Sequence, residues 1–511
     1  MFNLKYKSLI IPLLLLFLAL ALRLAWIDLT ILSGDMFRDI ENSDISSNNL
    51  RFVGVTKGVG EDTPQTTFGP SMFYIISFFK LFSDNILIVP IFVAILNSIA
   101  VVICFFLCKK YFNNAVAIIA SLLYAVNPWH VYISHTFWNP NFLPFFSVIF
   151  FYFLFGYIKD KKDSYLIATV FILSLMLHFH LTPLFLIPVI FLSILFFRRD
   201  TKYYHYFYSA LAFIVPFIPY LIFNLRKNIS LLGPILYGVS RESSSFLISF
   251  LEGFGIPVML ATNYLGKYVY GSSNIFPNIF FEYLFLIITI LLVILFILSL
   301  VYMILKIRKS GFYDSSLYII ILLILFLPSF FQFIRFKGIS PHYYFLLYPI
   351  QFIILALFLS FLYNKFKNFK IISISVFIIL LILLTFNIYL LYSYVDKNGT
   401  TEGGQFSLSY SAKMGVLNYI LNNSQDGKIN IIFFRAGKDF IPLFDRESNF
   451  RINPITYFNI SEFELNSEIH GFLVLDRKSL HKSPDLTSQE NAYFNSLPNK
   501  TIIKGVEIYE I

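Results

Sequence analysis

The stretch IFFEYLFLIITILLVILFILSLVYMIL, residues 279–305, is followed directly by the basic run KIRK at 306–309. Crossing roughly 30 Å of hydrocarbon takes about 20 helical residues, and this apolar run is long enough to do so. Its one charged residue, Glu282, lies near the start of the run. The stretch therefore predicts a transmembrane helix with a positively charged flank.

Apolar runs of this kind recur along most of the chain. Of its 511 residues, 57% are hydrophobic and 13% are charged, whereas soluble domains are about a quarter charged, and the mean hydropathy is +0.72. A water-soluble fold could not bury so much apolar surface. We therefore predict a polytopic α-helical membrane protein with about eleven transmembrane helices, near residues 9–27, 86–108, 113–128, 141–158, 164–180, 182–197, 204–223, 279–305, 315–331, 342–363 and 370–392.

The distribution of basic residues predicts the orientation. Sixteen Lys and Arg residues lie at the N-terminus and in the short connectors after the even-numbered spans, whereas the longer opposite loops hold nine outside the surface helix described below. An excess of Lys and Arg marks the cytosolic side of a membrane protein. We therefore predict a cytosolic N-terminus at the plasma membrane and a C-terminal part outside. The same pattern accounts for the net charge of +10 and argues against nucleic-acid binding.

Two loops on the predicted outer side, residues 28–85 and 224–278, are too long to be simple turns. Long patterned loops usually carry function. Within the first loop, the apolar stretch 68–82 is too short to cross the membrane. It predicts a helix that lies along the membrane surface or dips into it.

The composition turns polar from about Val395 onward. Three segments of alternating apolar residues, typical of strands, are separated by two helix-like stretches; the strands are predicted at 429–434, 471–475 and 501–509, and the helices at 409–422 and 488–497. The chain is therefore predicted to divide into a transmembrane domain, residues 1–395, and a small extracytoplasmic α/β domain, residues 396–511.

Five motifs follow one another along the first 395 residues. They are SGDMFRD at 33–39, FGPSMFY at 68–74, NPWHVYIS at 127–134 with WNP at 138–140, LHFH at 177–180, and Arg335 with HYY at 342–344 and YP at 348–349. In this order and on this topology they resemble the GT-C glycosyltransferases of the protein O-mannosyltransferase and aminoarabinose-transferase superfamily. The C-terminal domain resembles that superfamily only in position and general character.

This resemblance implies inverting transfer of a sugar from a polyprenyl-phosphate carrier to an acceptor on the outer face of the membrane. The partners would be the lipid-linked donor, membrane lipid, and a glycan, lipid or protein acceptor. Nucleotide sugars do not occur outside the cytosol, so a donor already held in the membrane fits that location.

Two other functions stay open at this point. One is a ligase or polymerase of surface polysaccharide, which usually carries its large loop late in the chain. The other is a non-enzymatic lipid or sugar flippase, for which charged or broken helices at mid-membrane would be the sign. The predicted spans are mostly clean hydrocarbon.

The resemblance assigns catalysis to the acidic motif of the first outer loop. Asp35 is the candidate general base, because an acceptor hydroxyl must lose its proton as its oxygen attacks the anomeric carbon. Asp39 is the second candidate. Arg38 would orient one of the carboxylates or bind a phosphate. The alternatives are a helix N-cap or a solvated loop charge for Asp35 and an exposed ion pair for Arg38.

Asn139 stands where related transferases often carry an aspartate. An amide can hydrogen-bond a sugar hydroxyl but cannot act as a base, so Asn139 is a candidate for binding the substrate. His180 is a second candidate, with ordinary interfacial solvation as the alternative.

The metal prediction for this site is negative. Four histidines, His130, His135, His178 and His180, fall near one face, but the spacing H-x-H alone is a weak signal for metal. Phe68-Gly69 replaces the acidic residue that some relatives place before the surface helix. No residue is therefore assigned to a metal, and a divalent-metal cofactor is unsupported.

Arg335 and Lys337 lie on the side that is otherwise poor in basic residues, next to His342 and Tyr343. A departing polyprenyl phosphate gains negative charge as the glycosidic bond breaks, and fixed donors stabilise that charge. We therefore predict the lipid-phosphate site here. The alternative is that both cations reach the phosphates of ordinary lipids.

Overall fold

The structure is a computed structural model. It describes residues 9–31, 36, 43, 55–57, 66–68, 71–83, 85–227, 246–263, 279–335, 341–366, 368, 370–399, 408–423, 429–434, 452–457, 472–475, 494, 497, 500–503 and 506–510.

Helices dominate the described part of the chain, because hydrocarbon offers no hydrogen-bond partner and a helix satisfies its backbone internally. The α-helices, numbered α1 to α15 in chain order, are Ile10–Leu24, Ser71–Lys80, Ile88–Tyr111, Asn114–Val126, Pro128–His135, Leu143–Lys159, Ser164–Leu177, Ile187–Phe197, Tyr203–Lys227, Phe246–Met259, Ile279–Ser310, Ser316–Arg335, Ile350–Lys365, Lys370–Asn398 and Tyr410–Asn423. The described residues also form four short 3-10 turns, at Ile27–Leu29, Asn139–Phe142, Thr182–Leu186 and Pro341–Leu347.

Each predicted transmembrane segment coincides with a helix. Among the described residues, five helices are long and apolar enough to cross a membrane, or up to seven if each of two bent pairs is one span. The bent pairs are α4 with α5, at 53°, and the turn Pro341–Leu347 with α13, at 58°. The remaining predicted spans correspond to shorter apolar helices, at Ile10–Leu24, Ser164–Leu177, Thr182–Phe197 and Ser316–Phe331. The multi-pass helical fold is confirmed, and the number eleven stays a prediction.

Helix α3 packs against α1, α4 and α6. Its interior positions carry small side chains, and Ala94, Ser98, Ala100 and Cys104 are fully buried. Small residues let membrane helices approach closely, since packing rather than exclusion of water drives their association.

The bundle has two distinct ends. We call one end the basic end; it is formed by connectors 112–113, 160–163, 198–202 and 311–315. We call the other the site end; it is formed by residues 25–31, 136–142, 178–186 and 341–349. At the basic end, Lys110 pairs with Asp160 at 2.5 Å, and its ammonium lies 4.7 to 5.6 Å from three tyrosine rings, those of Tyr111, Tyr152 and Tyr165.

Arg198 is the first residue of the neighbouring connector at the basic end, residues 198–202. Its buried guanidinium donates to the carbonyl of Tyr157 and pairs with Asp163 and Asp200. The hydrogen bond from Arg198 lowers the pKa of the exposed Asp200 carboxyl. The ends of α6, α7 and α8 are thereby tied together.

Two short strands within residues 28–85, β1 and β2, are Val55–Lys57 and Thr66–Phe68 and pair antiparallel. In the C-terminal part, strands β3 to β7 are Ile429–Phe434, Ile452–Tyr457, Phe472–Leu475, Lys500–Ile503 and Val506–Glu510. They form a mixed five-stranded sheet in the order β4-β3-β5-β7-β6. Strands β4 and β5 pair parallel to β3, whereas β7 pairs antiparallel to β5 and β6. A small α/β domain is therefore confirmed, while its boundary at residue 396 stays a prediction.

Two features of this sheet differ from the sequence prediction. The predicted strand 501–509 is two antiparallel strands, β6 and β7. Strand β4 was not predicted, and it contains Pro454, which lacks the N–H that a central strand needs. The structure places β4 at the sheet edge, where proline is tolerated.

Gly156 in α6 provides a test of packing at the basic end. A Cβ at this position would lie 2.4 Å from ring carbons of Tyr165 and 2.6 Å from the hydroxyl of Tyr111. We expect Gly156→Ala to lower the free energy of unfolding by about 1 to 3 kcal/mol, as overpacking does, measured by thermal unfolding in detergent. Gly255→Ala in α10 is the matched control, since nothing lies within 4 Å of that Cβ. Equal effects of the two substitutions would contradict the packing.

Candidate active site

The site end is built from short turns that interrupt the helices. Proline is the first or second residue of three of the four described 3-10 turns, as Pro140, Pro183 and Pro341. Proline suits a first helical position, because the missing N–H would have no intrahelical partner there. The turns bring side chains from distant parts of the sequence to one end of the bundle.

Four aromatic rings from three of these turn regions form one cluster. Ring centroids are 4.5 Å apart for Trp138 and His342, and 5.6 Å apart for His180 and His342. Tyr343 lies 5.5 Å from His180 and 4.3 Å from His342. The structure thus brings together three of the predicted substrate-binding residues, and we call these four residues the imidazole cluster.

The hydrogen bonds of His180 indicate which ring nitrogen is protonated. Nδ1 lies 3.3 Å from the backbone nitrogen of Thr182 and 2.9 Å from its hydroxyl oxygen. A backbone N–H can only donate, so Nδ1 must be the accepting nitrogen. In the neutral ring Nε2 then carries the proton and acts as a donor.

Asn139 follows Trp138 directly and is only 8% exposed. Its Oδ1 is buried, and none of the described residues donates a hydrogen bond to it. The turn around it is held from two sides, since Asn97 donates to the carbonyl of Asn141 at 3.1 Å and Asn141 donates to that of Thr136 at 2.6 Å. Asn139 therefore presents an acceptor oxygen from a fixed turn, which suits a hydroxyl group of a ligand.

The two histidines of the H-x-H motif lie in different environments. His178 hydrogen-bonds the hydroxyl of Ser71 through Nδ1 at 2.7 Å, and its ring lies edge-on to Phe217 at 4.6 Å. It therefore ties helix α2 to the end of α7, whereas His180 faces His342. Within the described residues no group of three or more His, Cys, Asp or Glu side chains could hold a metal ion.

Arg23 is a buried cation near the end of α1 that the sequence analysis missed. Its side chain is fully buried, and its five N–H donors face five acceptors, the carbonyls of Ala19, Tyr124 and Ala125, Ser134 Oγ and His130 Nδ1, at 2.7 to 3.5 Å. Two of these carbonyls end α4, where the helix dipole favours a cation. Arg23 therefore holds the α4–α5 break in shape, and every donor is committed to protein groups.

The signal for Arg23 was present in the sequence. An arginine inside an apolar run is rare and marks a polar interior, but the predicted span 9–27 was treated as clean hydrocarbon. Asn127 completes the same break. It accepts from the N–H of His130 at 2.9 Å and donates to the carbonyls of Leu260 and Thr262, both at 3.1 Å.

Several predicted site residues cannot be placed. Asp35, Arg38, Asp39 and Lys337 lie outside the described residues. Arg335 is the last residue of α12, and the structure describes its backbone but not its side chain. The roles assigned to these residues stay predictions.

The segment with most of these described site residues matches a known family. Residues 64–223, which include Trp138, Asn139 and His180, match the family model described as dolichyl-phosphate-mannose-protein mannosyltransferase. ArnT from Cupriavidus metallidurans, solved bound to undecaprenyl phosphate, superposes with a TM-score of 0.53 over 99% of this chain and 98% of its own, at 11% identity. The predicted GT-C fold is confirmed.

A second GT-C structure agrees with the first. The archaeal oligosaccharyltransferase AglB from Archaeoglobus fulgidus, in complex with an inhibitory peptide and a dolichol-phosphate, gives a TM-score of 0.51 at 12% identity. It matches over 93% of this chain and 70% of its own. No curated protein sequence matches the chain significantly. At these identities the structural likeness establishes the fold.

Arg23 provides a test of how this GT-C bundle is held at the site end. Arg23→Lys keeps the charge but offers three donors in place of five, so buried acceptors lose their partners. We expect a loss of about 1 to 3 kcal/mol in the free energy of unfolding, measured by thermal unfolding in detergent. Arg199→Lys, the same change at an exposed arginine, should stay within about 0.5 kcal/mol. A tolerated Arg23→Lys would show that the guanidinium geometry is not required.

Proposed function

We propose that this protein is an inverting glycosyltransferase that moves a sugar from a polyprenyl-phosphate carrier to an acceptor on the extracytoplasmic face. The observation that carries the proposal is the gathering of Asn139, His180, His342 and Tyr343 at one end of a GT-C bundle. The match of residues 64–223 to a mannosyltransferase family supports the reaction class. Structures of this fold with undecaprenyl phosphate or a dolichol-phosphate bound support the class of donor.

The imidazole cluster suits the phosphate of the departing carrier. His180 supplies an N–H donor through Nε2, and Tyr343 supplies a hydroxyl within the same cluster. Donors that are already oriented stabilise a developing negative charge better than water does. Arg335, which ends α12 six residues before Pro341, and Lys337 would add positive charge, and the planar guanidinium of Arg335 could hold two phosphate oxygens at once.

Asn139 and Trp138 suit the sugar. The buried Oδ1 of Asn139 can accept a hydrogen bond from a sugar hydroxyl, and the Trp138 ring lies beside it against His342. In this proposal Asp35 removes the proton from the acceptor hydroxyl, since a neutral amide at position 139 cannot.

The proposed reaction has a direct test. Membranes that contain the protein are incubated with a panel of radiolabelled polyprenyl-phosphate sugars, and label that leaves the lipid is measured. We expect Asp35→Asn to reduce transfer by about 100-fold to 10,000-fold, because it keeps the shape of the side chain and removes the base. Asp39→Asn is the matched control and should cost less. Near-normal turnover of an inserted Asp35→Asn protein would end the assignment of Asp35.

The proposal also requires the site end and the C-terminal domain to lie outside the cytosol. The four connectors of the basic end would then face the cytosol, which agrees with the distribution of Lys and Arg. Ser409 is fully buried, so it is a poor position for a labelling test. Asn423 at the end of α15 is exposed, and Tyr313 at the basic end is 74% exposed.

We expect a cysteine that replaces Asn423 to react with a membrane-impermeant thiol reagent in intact cells. A cysteine that replaces Tyr313 should react only after the cells are lysed. The two natural cysteines, Cys104 and Cys108, are buried in α3 and can be changed to alanine first. Labelling at position 313 without labelling at position 423 would reverse the orientation and place the proposed site in the cytosol.

A further inference from the structure

The segment that follows α1 is held by elements from the far end of the chain. The rings of Trp26 and Tyr392 stack at 5.1 Å with 7° between their planes, and the Tyr392 hydroxyl lies 2.6 Å from Nδ1 of His135. The Thr30 hydroxyl donates to the carbonyl of His135 at 2.8 Å. The ends of α1, α5 and α14 therefore meet at one buried point.

The next contact crosses to the C-terminal domain. The N–H of Tyr410 donates to the carbonyl of Thr30 at 2.8 Å, and Ile31 pairs with Ser409 in an isolated antiparallel bridge. Thr30, Ile31 and Ser409 are all buried. We call this pairing of Thr30–Ile31 with Ser409–Tyr410 the latch.

The latch is tied to the sheet through α15. Ser409 caps this helix, since its Oγ accepts from the N–H of Ala412 at 3.3 Å. A Cβ at Gly415 would lie 2.9 Å from Ile503 in β6, so the helix and the strand are in close contact. Tyr419 hydrogen-bonds Thr501 in the same strand at 3.0 Å. A displacement of the sheet would therefore move the Ser409 side of the latch.

The other side of the latch leads directly into the first outer loop. Asp35 is four residues beyond Ile31 in the sequence, and a chain of four residues spans at most about 14 Å. The position of Ile31 therefore limits where the loop can carry its acidic motif.

We propose that the C-terminal domain is a positioning element for the transfer reaction, and that the latch sets where the first outer loop begins. The proposal rests on the proposed function, in which Asp35 is the base. Thr30 and Tyr410 are then positioning residues, because they act through the loop. A displacement of about 1 Å in a reacting group can cost up to 100-fold in rate, so a single backbone contact is enough to matter.

Tyr410 allows the contact to be removed selectively. It is the first residue of α15, a position where proline is well tolerated, so Tyr410→Pro removes the N–H that bonds Thr30 and keeps the helix start. Tyr410→Ala removes the same side chain and retains that N–H. We expect kcat for Tyr410→Pro to fall about tenfold below that of Tyr410→Ala, with an unchanged KM for the lipid-linked donor. Equal kcat values in the two variants would overturn the proposal.

A disulfide across the latch, between positions 31 and 409, should restore the kcat that Tyr410→Pro lowers. The bond from Tyr410 to Thr30 flanks the pair Ile31–Ser409, so this is a non-hydrogen-bonded pair with its Cα atoms about 4.5 Å apart, within the range of a disulfide. The test adds Ile31→Cys and Ser409→Cys to Tyr410→Pro after Cys104 and Cys108 have been replaced by alanine. Oxidation should restore kcat, and reduction should lower it again. An oxidised protein that stays as slow as Tyr410→Pro would overturn the proposal.

A third measurement does not depend on activity. A single cysteine that replaces Ser33 should react with a thiol reagent several-fold faster in the Tyr410→Pro background than in the Tyr410→Ala background, because local opening exposes the loop. Equal labelling rates would overturn the latch. If the rates differ but the wild-type protein transfers no sugar from any polyprenyl-phosphate donor, the proposed function fails and the hold of the latch on the loop is upheld.

Discussion

Hydrocarbon offers no hydrogen-bond partners, and most features of this structure follow from that constraint. Along a span every backbone group must be satisfied inside the helix, which explains why the apolar runs are helical. Where a helix breaks, side chains must replace the lost partners. Arg23 and Asn127 do so at the α4–α5 break, where the guanidinium bonds two helix-end carbonyls and the amide caps the next helix.

The two ends of the bundle satisfy the backbone groups between helices in different ways. At the basic end the connectors are short, and charged side chains such as Lys110 and Arg198 bond residues of neighbouring helices. At the site end the chain forms 3-10 turns, three of which have proline as their first or second residue, and polar side chains lie inward among aromatic rings. The basic end thus serves packing, whereas the site end holds a buried, oriented acceptor, Asn139 Oδ1, that receives no hydrogen bond from the described residues.

The direction of hydrogen bonds decides what these groups can do. The N–H of Thr182 makes Nδ1 of His180 an acceptor and leaves Nε2 as a donor. Arg23 can only donate, so it makes Nδ1 of His130 an acceptor in the same way. The five N–H donors of Arg23 are all used in contacts with protein groups. In each ring the hydrogen bond from a fixed donor therefore sets which nitrogen carries the proton, and residue type alone does not give this.

The sequence by itself determined the membrane class, the positions of the helices and much of the C-terminal domain, including α15, β3 and β5. These depend on the length and period of apolar runs, which are local properties of the chain. The ordered motifs also marked His180, His342 and Tyr343 as candidates for binding the substrate. The split of His178 from His180, the edge strand β4, the place of Arg23 and the latch came only from the tertiary structure. Each depends on partners far apart in sequence, such as Ser71 for His178 and Thr30 for Tyr410, and no local pattern encodes which distant backbone group a side chain will meet.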